Sequence, residues 1–230
     1  MHVEEELRAL KDALARQQAT IEELTGQLGL LQDQAEIERL QYAYGYFIDN
    51  RMFREMADLF ADEGAWIEIG GRGRYCGKER IHRFLHDVLG EGRWGLARDE
   101  VINHVQQQLL ITVDPGRRHA RARGRAEVQG ISPPGTPHFL LADGIYENEY
   151  VREDGRWKIL GLTVAMTFYA AIERDKVWFP SAPPSTAMPP DAPSQPIVET
   201  LGRQFNAFHF RHPVLGYELA TPVSDAGGAA

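Results

Sequence analysis

The sequence predicts an α+β fold in which a curved antiparallel sheet wraps around helices. Apolar residues repeat at heptad spacing near the N-terminus, helical patterns and a short hairpin follow, and four long strand patterns separated by turn sequences come last. We expect three parts: an N-terminal coiled-coil helix over residues 1–33, the α+β domain over 34–178, and a proline-rich C-terminal extension over 179–230.

The N-terminal segment carries a heptad pattern. Its seam residues lie alternately four and three positions apart, with one polar exception: Val3, Leu7, Leu10, Leu14, Gln17, Ile21, Leu24, Leu28 and Leu31. This spacing is typical of a coiled coil. We expect a homo-oligomer, either a dimer or a trimer, because leucine at both seam positions selects neither number. The alternative is a helix that packs on its own domain.

Helices and a hairpin are predicted next. Residues 34–50 are apolar or aromatic on nearly all sides, which predicts a buried helix, and a short helix over 52–60 follows. Residues 65–70 (AWIEIG) alternate like a strand, and 70–78 (GGRGRYCGK) suggest a hairpin with the next strand. Residues 79–89 are again helical.

Four long strands are predicted over 101–113, 117–131, 139–152 and 156–171. Asp-Pro-Gly, Pro-Pro-Gly and Asp-Gly turns separate them, which indicates an antiparallel meander. Seven of the 13 prolines fall within 180–196, where we expect an extended segment, and 197–208 could form one more helix.

The composition is that of an ordinary globular protein, with 43% apolar and 25% charged residues in a chain of 230. No run of about eighteen apolar residues exists, so no membrane span is expected. The first residues, MHVEEELRAL, are unlike a signal peptide, and the single Cys76 forms no disulfide within the chain. We therefore expect a cytoplasmic protein.

The net charge of −8 is concentrated in the N-terminal segment. Residues 1–40 hold four basic and nine acidic residues, a net of −5, which leaves −3 for the remainder. Residues 117–125 (RRHARARGR) hold five arginines, but Arg121, Arg123 and Arg125 alternate with Ala and Gly, as on one charged face of a strand. We expect no nucleic-acid partner.

The order of elements and three segments resemble the SnoaL-like branch of the nuclear-transport-factor-2-like superfamily. The segments are IERLQYAYGYFIDNRMFREMADLFADEGAW at 37–66, GRYCGKERIHRFL at 73–85 and YENEYVREDGRWKI at 146–159. The resemblance spans about residues 35–178 and implies a cone-shaped sheet around helices, with a deep pocket inside. Function varies widely on this fold, so the resemblance alone selects no reaction.

The branch includes scytalone dehydratase, hexachlorocyclohexane dehydrochlorinase and bile-acid dehydratases. The resemblance implies catalytic roles for Asp49, at the end of the first core helix, and for His104, on the strand after the third helix. The alternatives are a solvent-exposed aspartate and a structural histidine. If 101–113 is a strand, His104 shares one face with Ile102, Gln106 and Gln108. The last-strand arginine of the dehydrochlorinase corresponds here to Leu162, which argues against dehydrochlorination.

A tyrosine is expected to assist. The position that bile-acid dehydratases use corresponds to Tyr44, which we favour. On an ideal helix Tyr42 and Tyr46 lie nearer to the face of Asp49 than Tyr44 does. The alternative for each tyrosine is core packing.

Nine further side chains are candidates for binding substrate: Tyr46, Trp66, Asn103, Arg125, Asp143, Tyr146, Asn148, Thr167 and Tyr169. Aromatic linings suit an aromatic substrate. Only about half of any strand's residues face one side, so for each candidate the alternative is a place in the core or on the surface.

No cofactor is expected, because the sequence contains no phosphate loop, dinucleotide fingerprint or GxSxG elbow. His82 and His86 have the spacing of a metal pair on a helix, but no third ligand is suggested, so no metal is expected.

The leading hypothesis is a cofactor-independent lyase in which His104, oriented by Asp49, takes a proton from a hydroxylated aromatic molecule. The stalk and proline-rich extension also resemble the diarylpropane formaldehyde lyases of lignin catabolism, which implies release of formaldehyde and a stilbene. The alternatives are a non-catalytic binding or assembly module, and an isomerase or polyketide-cyclase-type enzyme with the same pocket.

Overall fold

The computed structural model describes residues 2–177, 183–202 and 204–223. Its helices are α1 (His2–Asp49), α2 (Phe53–Ala57) and α3 (Lys78–Arg83), the last continued by a π-helical turn, Phe84–Leu89. The strands are β1 (Trp66–Ile69), β2 (Arg74–Cys76), β3 (Val101–Val113), β4 (His119–Ile131), β5 (His138–Glu153) and β6 (Arg156–Glu173). The predicted α+β class is confirmed.

All six strands form one curved sheet in the order β2-β1-β6-β5-β4-β3. Neighbours are antiparallel, except that β1 and β6 run parallel. One face of the sheet packs on the second half of α1 and on α2 and α3, and this layer contains the core, including Phe47, Phe53, Phe60, Ile67 and Trp157.

Helix α1 is continuous for 48 residues and passes without a break from the predicted coiled-coil segment into the buried helix. Its first buried residue is Gly29. The Arg117 guanidinium donates to the Gly29 carbonyl oxygen at 2.8 Å, and a Cβ on Gly29 would collide with that guanidinium. Up to that point the predicted seam is exposed in the isolated chain, with Val3 at 74% and Leu14 at 65%.

Asp33 fastens α1 to the sheet. Its carboxylate is fully buried, contacts Arg117 at 2.5 Å and Arg152 at 2.7 Å, and accepts the indole N–H of Trp157 at 3.1 Å. Burial alone would raise the pKa of Asp33, but the hydrogen bonds from Arg117 and Trp157 and the charge of Arg152 hold that pKa below its usual value.

The prediction that Gln108 shares a face with His104 is wrong, because β3 contains a β-bulge. The register with β4 shifts between Gln107 and Leu110, and Gln108 adopts a φ of +52°. The bulge reverses the alternation. Gln108 is therefore exposed, while Leu109 and the alternate residues after it pack on the core.

Three arginines of the predicted cluster form ion pairs on the outer face of the sheet. Arg121 contacts Glu149 at 3.7 Å, Arg123 pairs with Glu147, and Arg125 contacts Asp143 at 2.7 Å.

Among the described residues, no helix is long and apolar enough to cross a membrane.

The C-terminal extension packs back on the domain. No helix forms in its described part, so the expected helix over 197–208 is wrong there; the segment instead contacts the domain through Leu201, Phe208 and Phe210. Leu96 and Val223 form a parallel bridge. Residues 179–182, 203 and 224–230 of the predicted extension lie outside the described part.

The neutral ring of His212 holds this extension against the domain. Its ring is buried between Phe47 and Tyr217, with centroids at 5.4 and 4.8 Å. Nε2 lies 2.8 Å from the Glu55 carbonyl oxygen, and Nδ1 accepts the backbone N–H groups of Val214 and Leu215 at 3.2 and 3.0 Å. A proton on Nδ1 would face two donors. Burial accordingly lowers the pKa of His212, despite the opposing Glu55 and Asp58.

Acid is therefore expected to weaken the fold through His212. Because its pKa is lower in the folded chain, its stabilising contribution is complete above its unfolded pKa of about 6.5 and declines as the pH falls below that value. The test is urea unfolding of the protein and of His212→Gln between about pH 7.5 and pH 5. The difference in unfolding free energy between the two should shrink at the lower pH. A constant difference would contradict the role of His212.

Candidate active site

A cavity of about 200 Å³ lies between the C-terminal part of α1 and the sheet. Most of its wall is apolar and includes Ile48, Phe53, Ile102, Val128, Leu140 and Met166. Its polar lining comes from Tyr44, Arg51, Arg72, His104, Ser132, Tyr146 and Tyr169. An apolar cavity with a few converging polar groups is the usual form of a small-molecule site.

Asp49 and His104 are in contact, and His104 lines this cavity. Asp49 is the last residue of α1, and its Oδ1 accepts the backbone N–H of His104 at 2.6 Å. The same oxygen lies 2.9 Å from His104 Nδ1. The side chains are 20% and 14% exposed, so the pair is largely shielded from water. A proton shared between Nδ1 and the carboxylate leaves the lone pair of the imidazole on Nε2.

Tyr44 points to the cavity. Its hydroxyl accepts a hydrogen bond from that of Tyr146 at 3.3 Å, and both side chains are almost fully buried. Burial, and then the neighbouring Tyr146, raise the pKa of Tyr44 well above its ordinary value, so this phenol stays protonated at neutral pH. Tyr44 can therefore donate a hydrogen bond to a ligand oxygen.

Tyr46 and Tyr42 lie on the opposite side of α1. Tyr46 is 54% exposed and its ring packs against Phe210, while Tyr42 donates to Glu38 at 3.0 Å. Both border an outer groove that also contains Asp49, so the geometry of an ideal helix places these three residues on one face as expected. His104 borders both the groove and the cavity.

Several predicted pocket residues lie outside the cavity because strand alternation turns them away from it. Trp66 packs against Gly161 on the opposite side of β1 from Ile67, and the Arg74 guanidinium stacks on its ring at 3.9 Å. Arg125 and Asp143 form their ion pair on the outer face. Asn103 borders the outer groove.

A β-bulge determines which side chains at the end of β6 face the cavity. The pairing with β5 shifts between Asp143 and Gly144, so that Thr167 is the extra residue and is exposed. Tyr169, rather than its neighbour Phe168, then pairs with the inward-facing Ala142 and lines the cavity, while it remains 58% exposed.

Asn148 does not line the cavity and lies in a buried amide network. Gln41 accepts hydrogen bonds from Asn148 at 2.8 Å and from the Tyr150 hydroxyl at 2.7 Å, and donates to Gln106 at 2.8 Å. Gln106 in turn donates to the His104 carbonyl oxygen at 3.3 Å. The network supports the strand that carries His104, a role that the sequence pattern did not indicate.

Arg51, which no sequence pattern indicated, lines the cavity two residues after α1 ends. Its guanidinium pairs with Glu100 and donates to Ser132 Oγ and, at 2.7 Å, to the Leu89 carbonyl oxygen. Glu100 is fully buried and also binds Arg93 at 3.0 Å. A buried, charged cluster drawn from distant segments leaves no local sequence signal.

The two helical histidines lie away from the cavity. The rings of His82 and His86 are 5.8 Å apart, and His86 Nδ1 contacts Asp87 at 2.8 Å. In the described part of the chain, no three His, Cys, Asp or Glu side chains are arranged to hold a metal ion.

Comparison with known proteins agrees with this architecture. A hexachlorocyclohexane dehydrochlorinase of type 2 is 25% identical with a TM-score of 0.56, covering 68% of this chain and 97% of that one. A second dehydrochlorinase structure, LinA, is 22% identical with a TM-score of 0.57, covering 69% and 99%. A putative scytalone dehydratase from Novosphingobium aromaticivorans is 20% identical with a TM-score of 0.52, covering 62% and 89%.

The curated proteins contain no match to this chain. A family model described as the SnoaL-like domain matches residues 30–163, which is more than half of the chain and includes Tyr44, Asp49, His104 and Tyr146. This chain therefore belongs to the SnoaL-like family.

Proposed function

We propose that this chain is a cofactor-independent lyase that acts on a hydroxylated aromatic small molecule. The observation that carries the proposal is the 2.9 Å contact between Asp49 Oδ1 and His104 Nδ1 at the wall of an apolar cavity. Asp49 orients the imidazole and stabilises its protonated form, and His104 Nε2 takes a proton from the substrate. The fold shared with a dehydrochlorinase and a putative dehydratase supports elimination chemistry.

Tyr44 is proposed as the group that assists departure of the hydroxyl. It is a protonated phenol on the cavity wall, and the hydrogen bond from Tyr146 orients its oxygen. When the carbon–oxygen bond of the substrate breaks, a hydrogen bond from Tyr44 stabilises the charge that develops on the departing oxygen.

We further propose a lignin-derived 1,2-diaryl-1,3-propanediol with a para-phenol as substrate. Loss of the benzylic hydroxyl with the phenolic proton forms water and a quinone methide. His104 then takes the proton of the neighbouring CH₂OH group. The carbon–carbon bond to that group breaks, and its electron pair forms the double bond of the stilbene. The electron pair of the exocyclic double bond moves into the ring and leaves a phenolate, which takes up a proton. Formaldehyde and a stilbene are released without an oxidant or reductant. The aromatic and aliphatic lining of the cavity suits such a ring system.

Incubation with a guaiacyl-type diarylpropanediol tests this reaction. We expect formaldehyde and stilbene absorbance to appear in equal amounts. Water loss without formaldehyde would restrict the activity to dehydration. Absence of both products would contradict this substrate class.

The exposed seam of α1 is proposed to assemble the protein into a homo-oligomer. We expect Leu14→Asp with Leu24→Asp to lower the mass measured by sedimentation equilibrium, because two charges would enter each seam. Ala15→Asp with Ala19→Asp is the matched control, since these residues lie away from the seam on the same helix. Equal masses for both variants would contradict the role of the seam.

A further inference from the structure

The cavity wall carries an excess of positive charge. Arg51 and Arg72 line it, whereas no aspartate or glutamate does among the described residues. His104 also lines it, but Asp49 lies 2.9 Å from its Nδ1 and compensates the charge of the protonated ring. Charges beside an apolar cavity are screened less than charges in water. The wall is therefore suited to an anion.

The buried part of this charge lies on Arg51, whose side chain is 6% exposed. Arg51 and Arg93 share one carboxylate, that of Glu100, which is fully buried. The exposed Glu91 contributes a smaller attraction. Since buried charges are normally paired, two guanidinium groups on one buried carboxylate leave a positive charge uncompensated beside the cavity.

Arg51 also retains unused donors. A guanidinium has five N–H groups, and the hydrogen bonds to Leu89 and Ser132 use one N–H on each Nη atom. Nε lies beside Glu100 in the ion pair but makes no hydrogen bond. The second N–H of each Nη atom is also unused, on a side chain that lines the cavity. Burial lowers the pKa of Arg51, Glu100 raises it and Arg93 lowers it further, yet arginine stays charged at neutral pH.

The backbone at Arg51 adopts a strained conformation. Arg51 has a φ of +52°, a conformation that favours glycine. The guanidinium is then held from three segments: the last residue of the π-helical turn, the residue before β3 and the residue after β4. Such rigid placement is typical of a residue that positions a ligand.

We propose that Arg51 forms an anion-binding subsite of the cavity, which takes a carboxylate or phenolate oxygen of an aromatic ligand. The inference deepens the proposed function. In a para-phenolic substrate, the electron pair that returns to the ring as formaldehyde leaves places negative charge on the ring oxygen, and Arg51 stabilises that charge. Binding at Arg51 does not itself require turnover.

Paired ligands that differ in charge test the subsite. Binding of benzoate is compared with that of benzamide, and binding of 4-nitrophenolate with that of 4-nitroanisole, by calorimetric titration. We expect at least one anion to bind about 10-fold or more tightly than its neutral counterpart, as is typical of a charge-assisted hydrogen bond. Preference for benzoate identifies a carboxylate subsite, and preference for 4-nitrophenolate a phenolate subsite.

Arg51→Met with Glu100→Gln should abolish this preference, because it removes the guanidinium without stranding its carboxylate. Arg123→Met with Glu147→Gln is the matched control: it removes the same pair of groups from the outer sheet face and should retain the preference. If the first variant does not fold, Arg51→Lys keeps the charge but loses the forked donors and should weaken binding of the preferred anion several-fold.

The subsite is contradicted if neither anion binds measurably, or if the neutral ligands bind as tightly as the anions. It is also contradicted if the preference for the anion survives loss of Arg51, or if Arg72→Met abolishes that preference instead. His104→Ala should retain the preference. The two proposals are therefore tested separately. Absence of turnover would not contradict anion binding at Arg51, and absence of anion binding would not contradict catalysis by Asp49 and His104.

Discussion

Replacement of His104 by alanine is expected to lower turnover of the diarylpropanediol at least about 100-fold, the smallest contribution typical of a positioned general base. The fold should survive, because Asp49 still accepts the backbone N–H of residue 104, the contact that measures 2.6 Å in the native chain. Initial rates of formaldehyde release, with circular dichroism as the check on folding, measure both effects.

The matched control is His138→Ala, which removes an exposed histidine at the start of β5 and should leave the rate unchanged. Asp49→Asn should also lower the rate by about 100-fold, because the amide keeps the shape of the carboxylate but cannot stabilise the imidazolium. The combined variant should be no slower than His104→Ala alone, since the two residues act as one unit. A near-native rate in either single variant, or multiplied losses in the combined one, contradicts the dyad.

The second large effect concerns stability. Asp33→Asn is expected to lower the free energy of unfolding by about 3 kcal/mol, the lower end of the range for removing one partner of a buried ion pair. Arg117 and Arg152 would lose their common carboxylate, and their partial exposure (36% and 25%) keeps the loss at that lower end. Urea unfolding followed by tryptophan fluorescence measures it.

Asp12→Asn provides the control, because Asp12 is exposed on the same helix and its change should stay within about 0.5 kcal/mol. An equal shift of the unfolding midpoint in both variants would show that Asp33 is not what holds α1 on the sheet.

The strands were predictable because their signals are local. The Asp154–Gly155 turn has positive φ at both residues, 50° and 77°, which is the geometry that an Asp-Gly hairpin favours. Predicted and observed bounds agree within two residues for each long strand, and β3 spans 101–113 in both. The helix expected over 197–208 fails in the described residues, since packing against the domain decides the path of that segment.

The site was predictable only in part. Asp49 and His104 are 55 residues apart in the chain and were paired through the family resemblance; the structure places them in contact. Tyr146 and Tyr169 line the cavity, but Trp66, Arg125, Asp143 and Thr167 do not. Alternation places residues on faces only until a bulge intervenes, and bulges in β3 and at the end of β6 carry no clear sequence signal.

The sequence by itself determined the order of elements, the sheet class, the heptad seam and the family, because each depends on periodicity, turn residues or a pattern of neighbouring residues. Only the tertiary structure decided that α1 is continuous, which side chains face the cavity, and that Arg51 and Arg93 share Glu100. These features depend on the curvature of the sheet and on contacts between distant segments. The energies of such contacts arise from burial and charge in the folded chain, which no local pattern encodes.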